Sequence, residues 1–246
     1  ATVGQKMTVS VTSKTTVSDT LTPTVDTKSI TYYKGSVGDE QSDYTSKFAN
    51  SSLVDYTAYY YDVPGTSTRA GATTANKRMS LSHTTKTAIA SGSAAEANTK
   101  SITSYAGSVG DEQSDITTKY AGVTPIDYTY YYYGTGLADA GTTVNTAMRL
   151  SQAQKTLARP TTAGIADAQT KSVTQYLGAL GDEQSDVTIK YAGTVAVDYT
   201  YYYYGALKAQ AGTSVNTAMA ISQTQKTMAR PTTAGIADAQ TKSVTQ

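Results

Sequence analysis

The chain contains no cysteine, no tryptophan, one phenylalanine, one histidine and five prolines. Without cysteine, disulfide staples and thiolate-bound metals are excluded. With a lone histidine besides, the usual nucleophile–base triads are almost closed off. An excess of either charge is missing too: 20 Lys and Arg stand against 19 Asp and Glu, a formal charge of +1. Nucleic-acid binders carry a basic stripe because phosphate neutralisation supplies much of their affinity, so nucleic acid is not an expected partner. No run approaches the roughly 18 apolar residues of a membrane-crossing helix. No basic stretch followed by an apolar one opens the chain either, so neither a membrane span nor a signal peptide is expected within it.

What the chain has in quantity is tyrosine, 21 residues of 246, set among Thr, Ser, Ala and Gly. Tyr and Thr favour strands. A core made of Tyr, Val, Ile and Ala must partner many hydroxyls, since each one buried alone costs about 1–3 kcal/mol. Such a composition fits thin β layers and protein–protein contacts better than a thick enzyme core.

The hexapeptide Gly-Asp-Glu-Gln-Ser-Asp occurs at Gly38 to Asp43, Gly110 to Asp115 and Gly181 to Asp186, at offsets of 72 and 71 residues. Around it two segments alternate. The first, A, runs from Met7, Met79, Met148 or Met219 through a Lys-Thr pair to a Thr-Lys-Ser triplet. The second, B, carries the hexapeptide and a tyrosine cluster. The chain reads A-B-A-B-A-B-A, and Ala229 to Gln246 repeats Ala158 to Gln175 without a change. A mainly β, elongated tandem array of three units of about 71 residues follows: residues 1–28 as a partial repeat, then 29–100, 101–171 and 172–246. Arrays of this kind stack neighbours to complete their cores.

Period-2 alternation predicts the strands. Segment A opens with Met7, Val9 and Val11 on one face, and Met79/Leu81, Met148/Leu150 and Met219/Ile221 repeat the pattern. In B, Val187, Ile189 and Tyr191 share a face, as do Val195, Val197, Tyr199, Tyr201 and Tyr203. Ala192-Gly193-Thr194 between them suits the turn of a hairpin, and Gly134 and Gly205 suit a closing turn or bulge. Short helices between strands are a further expectation, with Pro160 to Leu180 the best candidate on the weak stripe Ile165, Ala168 and Val173. His83 stands where other copies carry Val11, Gln152 and Gln223, and its polar character reads as a solvent-facing variant of one strand.

Two constellations carry candidate chemistry. Each hexapeptide is followed twelve residues on by another acid, so a folded-back hairpin would gather Asp39, Glu40, Asp43 and Asp55; Asp111, Glu112, Asp115 and Asp127; and Asp182, Glu183, Asp186 and Asp198. Calcium takes six to eight oxygens from such clusters, although the spacing is not that of an EF-hand; the simpler reading is a solvated acidic turn capped by Asp. Paired carboxylates also equip glycosidases, but three near-copies of an active site in one chain would be unusual.

The second constellation is the tyrosines: Tyr59, Tyr60 and Tyr61; Tyr130, Tyr131, Tyr132 and Tyr133; Tyr201, Tyr202, Tyr203 and Tyr204. With rings on both faces of a strand, one face packs inward and the other meets a neighbour or a ligand such as carbohydrate. The expected function is therefore non-enzymatic and needs no cofactor. The chain reads as a subunit or fragment of an extracellular filament or surface layer that joins copies of itself head to tail. A tyrosine-rich carbohydrate- or surface-binding adhesin and an intracellular scaffold are the alternatives.

Overall fold

The computed structural model describes residues 4–15, 21–63, 66–71, 74–134, 146–204, 207–208, 218–231 and 233–246. The chain divides into two compact units, Ala1–Ile126 and Asp127–Gln246. Each is an antiparallel meander.

In the first unit the strands are β1 (Val9–Ser13), β2 (Thr27–Lys34), β3 (Gln41–Ala49), β4 (Ser52–Val63), β5 (Thr66–Arg69), β6 (Met79–Thr85), β7 (Thr99–Ala106) and β8 (Gln113–Ala121). Their order in the sheet is β1-β2-β3-β4-β6-β7-β8, with β5 added alongside the end of β4. The boundary falls within β9 (Thr124–Tyr133), most of which lies in the second unit together with β10 (Met148–Gln154), β11 (Thr170–Leu177), β12 (Gln184–Ala192), β13 (Val195–Tyr204), β14 (Leu207–Lys208), β15 (Met219–Gln225) and β16 (Thr241–Thr245). These run β9-β10-β11-β12-β13-β15-β16, with β14 on β13.

No α-helix occurs among the described residues. The expected helix from Pro160 to Leu180 is instead a turn-rich loop followed by β11, in which Val173 is 1% exposed while Ile165 is left 63% exposed. Pairing on both sides explains the difference: Val173 sits between Gln152 and Ile189, and that burial outweighs a weak helical stripe.

The expected hairpin forms. Ala192 pairs with Val195, and Gly193 at φ +64° supplies the first position of the two-residue turn; the equivalent turn in the first copy uses Asn50 and Ser51, both at positive φ. Two-residue hairpin turns need such residues because their twist matches that of the strands. Gly134 likewise turns at φ +60°, whereas Gly205 lies outside the described residues.

The alternation is broken, however, by a bulge. Lys190 pairs with Asp198 and Tyr191 with Ala196, leaving Val197 as the extra residue. Val195 and Val197 consequently stay 65% and 39% exposed rather than joining Tyr199, Tyr201 and Tyr203.

The core is thin. In the second unit Val187, Ile189, Tyr201 and Tyr203 form it, with Ala234 of the segment after β15 packed on top. In the first unit Ala58 and Tyr60 do the same, with Ala90 of residues 86–98 packed on them. The second, third and fourth A segments thus each supply a strand and then a loop that folds over one face of the sheet. In all four copies a backbone bond joins the two ends of the segment that follows the strand: Lys14 N to Asp26 O, Lys86 N to Asn98 O, Lys155 N to Gln169 O and Lys226 N to Gln240 O, each 2.9 Å.

Candidate functional site

The hexapeptide is half turn and half strand. Its opening glycine has positive φ at Gly38, Gly110 and Gly181. The tighter requirement lies three residues earlier, where a Cβ on Gly35, Gly107 or Gly178 would sit on the carbonyl oxygen of Asp39, Asp111 or Asp182. Those three aspartates hold the turn through their backbone amides, which donate to Ser36, Ser108 and Ala179 at 3.0 Å.

The glutamate next in line is a clamp. Glu40 accepts from the amide of Met7 at 3.1 Å and of Gly38 at 3.0 Å; Glu112 accepts from Met79 and Gly110, and Glu183 from Met148 and Gly181, all within 3.1 Å. Each of these glutamates therefore ties the start of the preceding A strand through a backbone amide. The Glu40 carboxyl is held below the usual carboxylate range, chiefly by its own backbone amide, against partial desolvation and with help from the Met7 and Gly38 amides.

The last aspartate of the hexapeptide sits in a β-bulge. Asp43 is the extra residue between Tyr44, opposite Tyr32, and Ser42, opposite Tyr33; Asp115 and Asp186 occupy the same place in β8 and β12. A bulge re-aims a side chain. Asp43 is 3% exposed and meets Arg69 at 2.6 Å and Lys34 at 2.9 Å. Asp186 meets Arg230 at 2.5 Å. The arginine arrives from β5 in one case and from the loop after β15 in the other. In the latter its guanidinium carbon lies 4.5 Å from the ring centroid of Tyr201, a cation–π contact. Arg159 covers the Tyr130 ring in the same way at 4.8 Å.

The distal acids pair elsewhere. Asp55 bonds Lys100 at 3.0 Å, Asp127 faces Lys171 at 3.4 Å, and Asp198 bonds Lys242. The lysine is in each case that of the Thr-Lys-Ser triplet. The four carboxylates of a repeat are thus not brought together, and among the described residues no three His, Asp or Glu groups converge on a common point that could hold a metal ion.

The tyrosines divide by face. Tyr60, Tyr130, Tyr132, Tyr201 and Tyr203 are 1–4% exposed and lie on the loop-covered face. Tyr201 donates to Met228 O at 2.7 Å and Tyr60 to Ala90 O at 3.4 Å. Burial pushes the Tyr60, Tyr201 and Tyr203 phenols up, opposed by the nearby arginines.

On the opposite face Tyr61 and Tyr133 are also buried, Tyr61 donating to Ser42 O at 2.9 Å, while Tyr59, Tyr131, Tyr202 and Tyr204 are half-buried. Here hydroxyls line up across strands in register. Ser10, Thr31, Thr45, Thr57 and Thr84 form one such row, and Ser151, Thr174, Thr188, Thr200, Thr224 and Ser243 form another. Neighbours bond to one another, Thr31 to Thr45 at 2.9 Å and Thr174 to Thr188 at 2.8 Å; Tyr59 and Tyr202 join Thr45 and Thr188 at 3.1 Å.

One buried network was not expected. His83 is fully buried, not solvent-facing, and its ring nitrogens lie 2.8 Å from Gly92 O and from Thr99 Oγ1. Because a carbonyl only accepts, Nδ1 carries a proton and donates it to Gly92 O. In the later copies Gln152 and Gln223, also 0% exposed, reach the same hub: each donates to Thr170 or Thr241 and to Ile165 O or Ile236 O, and accepts from Gly164 N or Gly235 N. This position pins the loop onto the sheet. Its parity was readable, since residue 83 shares a face with Leu81; its polar identity masked that.

No protein-family model matches the chain, and no curated protein or solved structure matches it significantly.

Proposed function

We propose that this chain is a non-enzymatic structural repeat protein, a subunit or fragment of an extracellular filament or surface layer built from copies of itself. The observation that carries the reading is the use made of its recurrent chemistry. The glutamate clamps a strand start, the bulged aspartates at 43 and 186 neutralise arginines, the distal aspartate holds the triplet lysine, and the buried amide or imidazole pins a loop. Groups so committed serve cohesion, and a catalytic acid or base would need one of them poised for a substrate.

Association is assigned to strand edges. Among the described residues, β1 hydrogen-bonds to β2 alone in the first unit and β16 to β15 alone in the second. A one-sided strand presents unpaired backbone groups that another copy can extend, and such a contact between unlike edges propagates. Electron microscopy of the purified chain tests this. Regular polymers are expected, and discrete particles of single-chain size at high concentration would overturn it.

The hydroxyl rows favour a second reading, a multivalent carbohydrate-binding surface on the face opposite the loops. Tyr202 and Thr188, rather than the loop-covered Tyr201 and Tyr203, are then the residues whose replacement by alanine should abolish glycan-array binding.

A further inference from the structure

Between the ends of β9, β10 and β11 lies a groove of about 420 Å³, of the size that takes a small organic molecule. Leu150, Leu177, Ala163 and the Tyr132 ring make it largely apolar, and Arg149 and Gln175 add polar groups. One wall is preformed. The loop at Gly164 presses on Leu150 so closely that an added Cβ would stand 2.8 Å from Leu150 Cδ1, and Gln152 holds that loop through Gly164 N and Ile165 O, both at 3.1 Å.

Arg149 is the extra residue of a bulge, since Met148 pairs with Tyr133 and Leu150 with Tyr132. Where Arg69, Arg78 and Arg230 each meet an aspartate, Arg149 has no carboxylate partner among the described residues. The fold does not ask for it either: Ser80 and Ala220 fill the same position in the neighbouring copies. A cation that the repeat does without, set at an apolar groove, calls for an anion with an apolar body.

We infer that this groove binds a small monocarboxylate with a compact ring or branched body, the carboxylate on Arg149 and the body against Leu150 and Leu177. The inference stands apart from the assembly reading and survives or fails without it. Titration of the full chain with benzoate, followed by amide NMR shifts, tests it, with benzamide as the uncharged counterpart.

The expected result is saturable shifts confined to residues 132–134, 149–150, 163 and 175–177. Affinity should fall about tenfold or more for benzamide, and by a similar factor for Arg149→Ala, as for loss of a charge-assisted pair. The variant should keep its melting temperature, as the native Ala220 implies. Absence of saturation, equal affinity for benzamide, or undiminished binding by a folded Arg149→Ala would each overturn the assignment.

Discussion

Asp186 and Arg230, 44 residues apart in sequence, meet at 2.5 Å beneath a loop, with the guanidinium carbon 4.5 Å from the ring centroid of Tyr201. One bulge residue, one loop arginine and one strand tyrosine thereby join three elements of the second unit. Asp186→Asn leaves the guanidinium largely buried without its counter-charge. Breaking a buried pair by removing one member costs several kcal/mol, so with 15% and 21% of the two side chains exposed a loss of roughly 2–4 kcal/mol is expected. Denaturant unfolding of the single variant and of Asp186→Asn with Arg230→Met checks this, the double variant recovering part of the loss.

Gln152→Ala should be as damaging, although it removes no charge. It would leave Gly164 N and Ile165 O without the partner they now have at 3.1 Å. At about 1–3 kcal/mol for each buried polar group left unmatched, a total near 3 kcal/mol is expected. Hydrogen exchange should localise the loss to the Gly164 amide and its loop, leaving β12 and β13 protected.

The strand pattern, the hairpin at Gly193 and the repeat itself were legible because each rests on local rules of period, turn chemistry and self-similarity. The faces were only half legible. A single bulged residue such as Val197 inverts every later side chain, and bulges leave no mark in the alternation. The acids were visible as a cluster in sequence, yet their partners Arg69, Arg230 and Lys100 come from 26, 44 and 45 residues away. Such pairings depend on which strands neighbour one another. Thr99 and Thr170 served only as markers of the repeat, and nothing in their sequence context announced hubs that collect a buried imidazole or two buried amides.

Alkaline titration should expose the buried tyrosines. Burial raises the phenols of Tyr60, Tyr61, Tyr201 and Tyr203 in the folded chain. The folded state therefore keeps protons that the unfolded state releases near pH 10, so stability is full below that pH and falls as pH rises through it. Tyrosinate absorbance should rise in two phases, the second coinciding with loss of β-sheet circular dichroism; a single smooth titration with the sheet intact would contradict this burial.

Calcium should leave the melting temperature unchanged, and so should a chelator. A bound cation stabilises a fold in proportion to its occupancy, but Glu40, Asp43 and Asp55 are already engaged by Met7 N, Arg69 and Lys100. Thermal melts at several calcium concentrations check this, and an upward shift that saturates would show that carboxylates not gathered here are nonetheless recruited.

The central claim, a structural chain that extends through its strand edges, is tested most directly by sedimentation velocity over a rising concentration series. The sedimentation coefficient should climb with concentration as polymers form. A single species of 25.8 kDa at the highest concentration would contradict it.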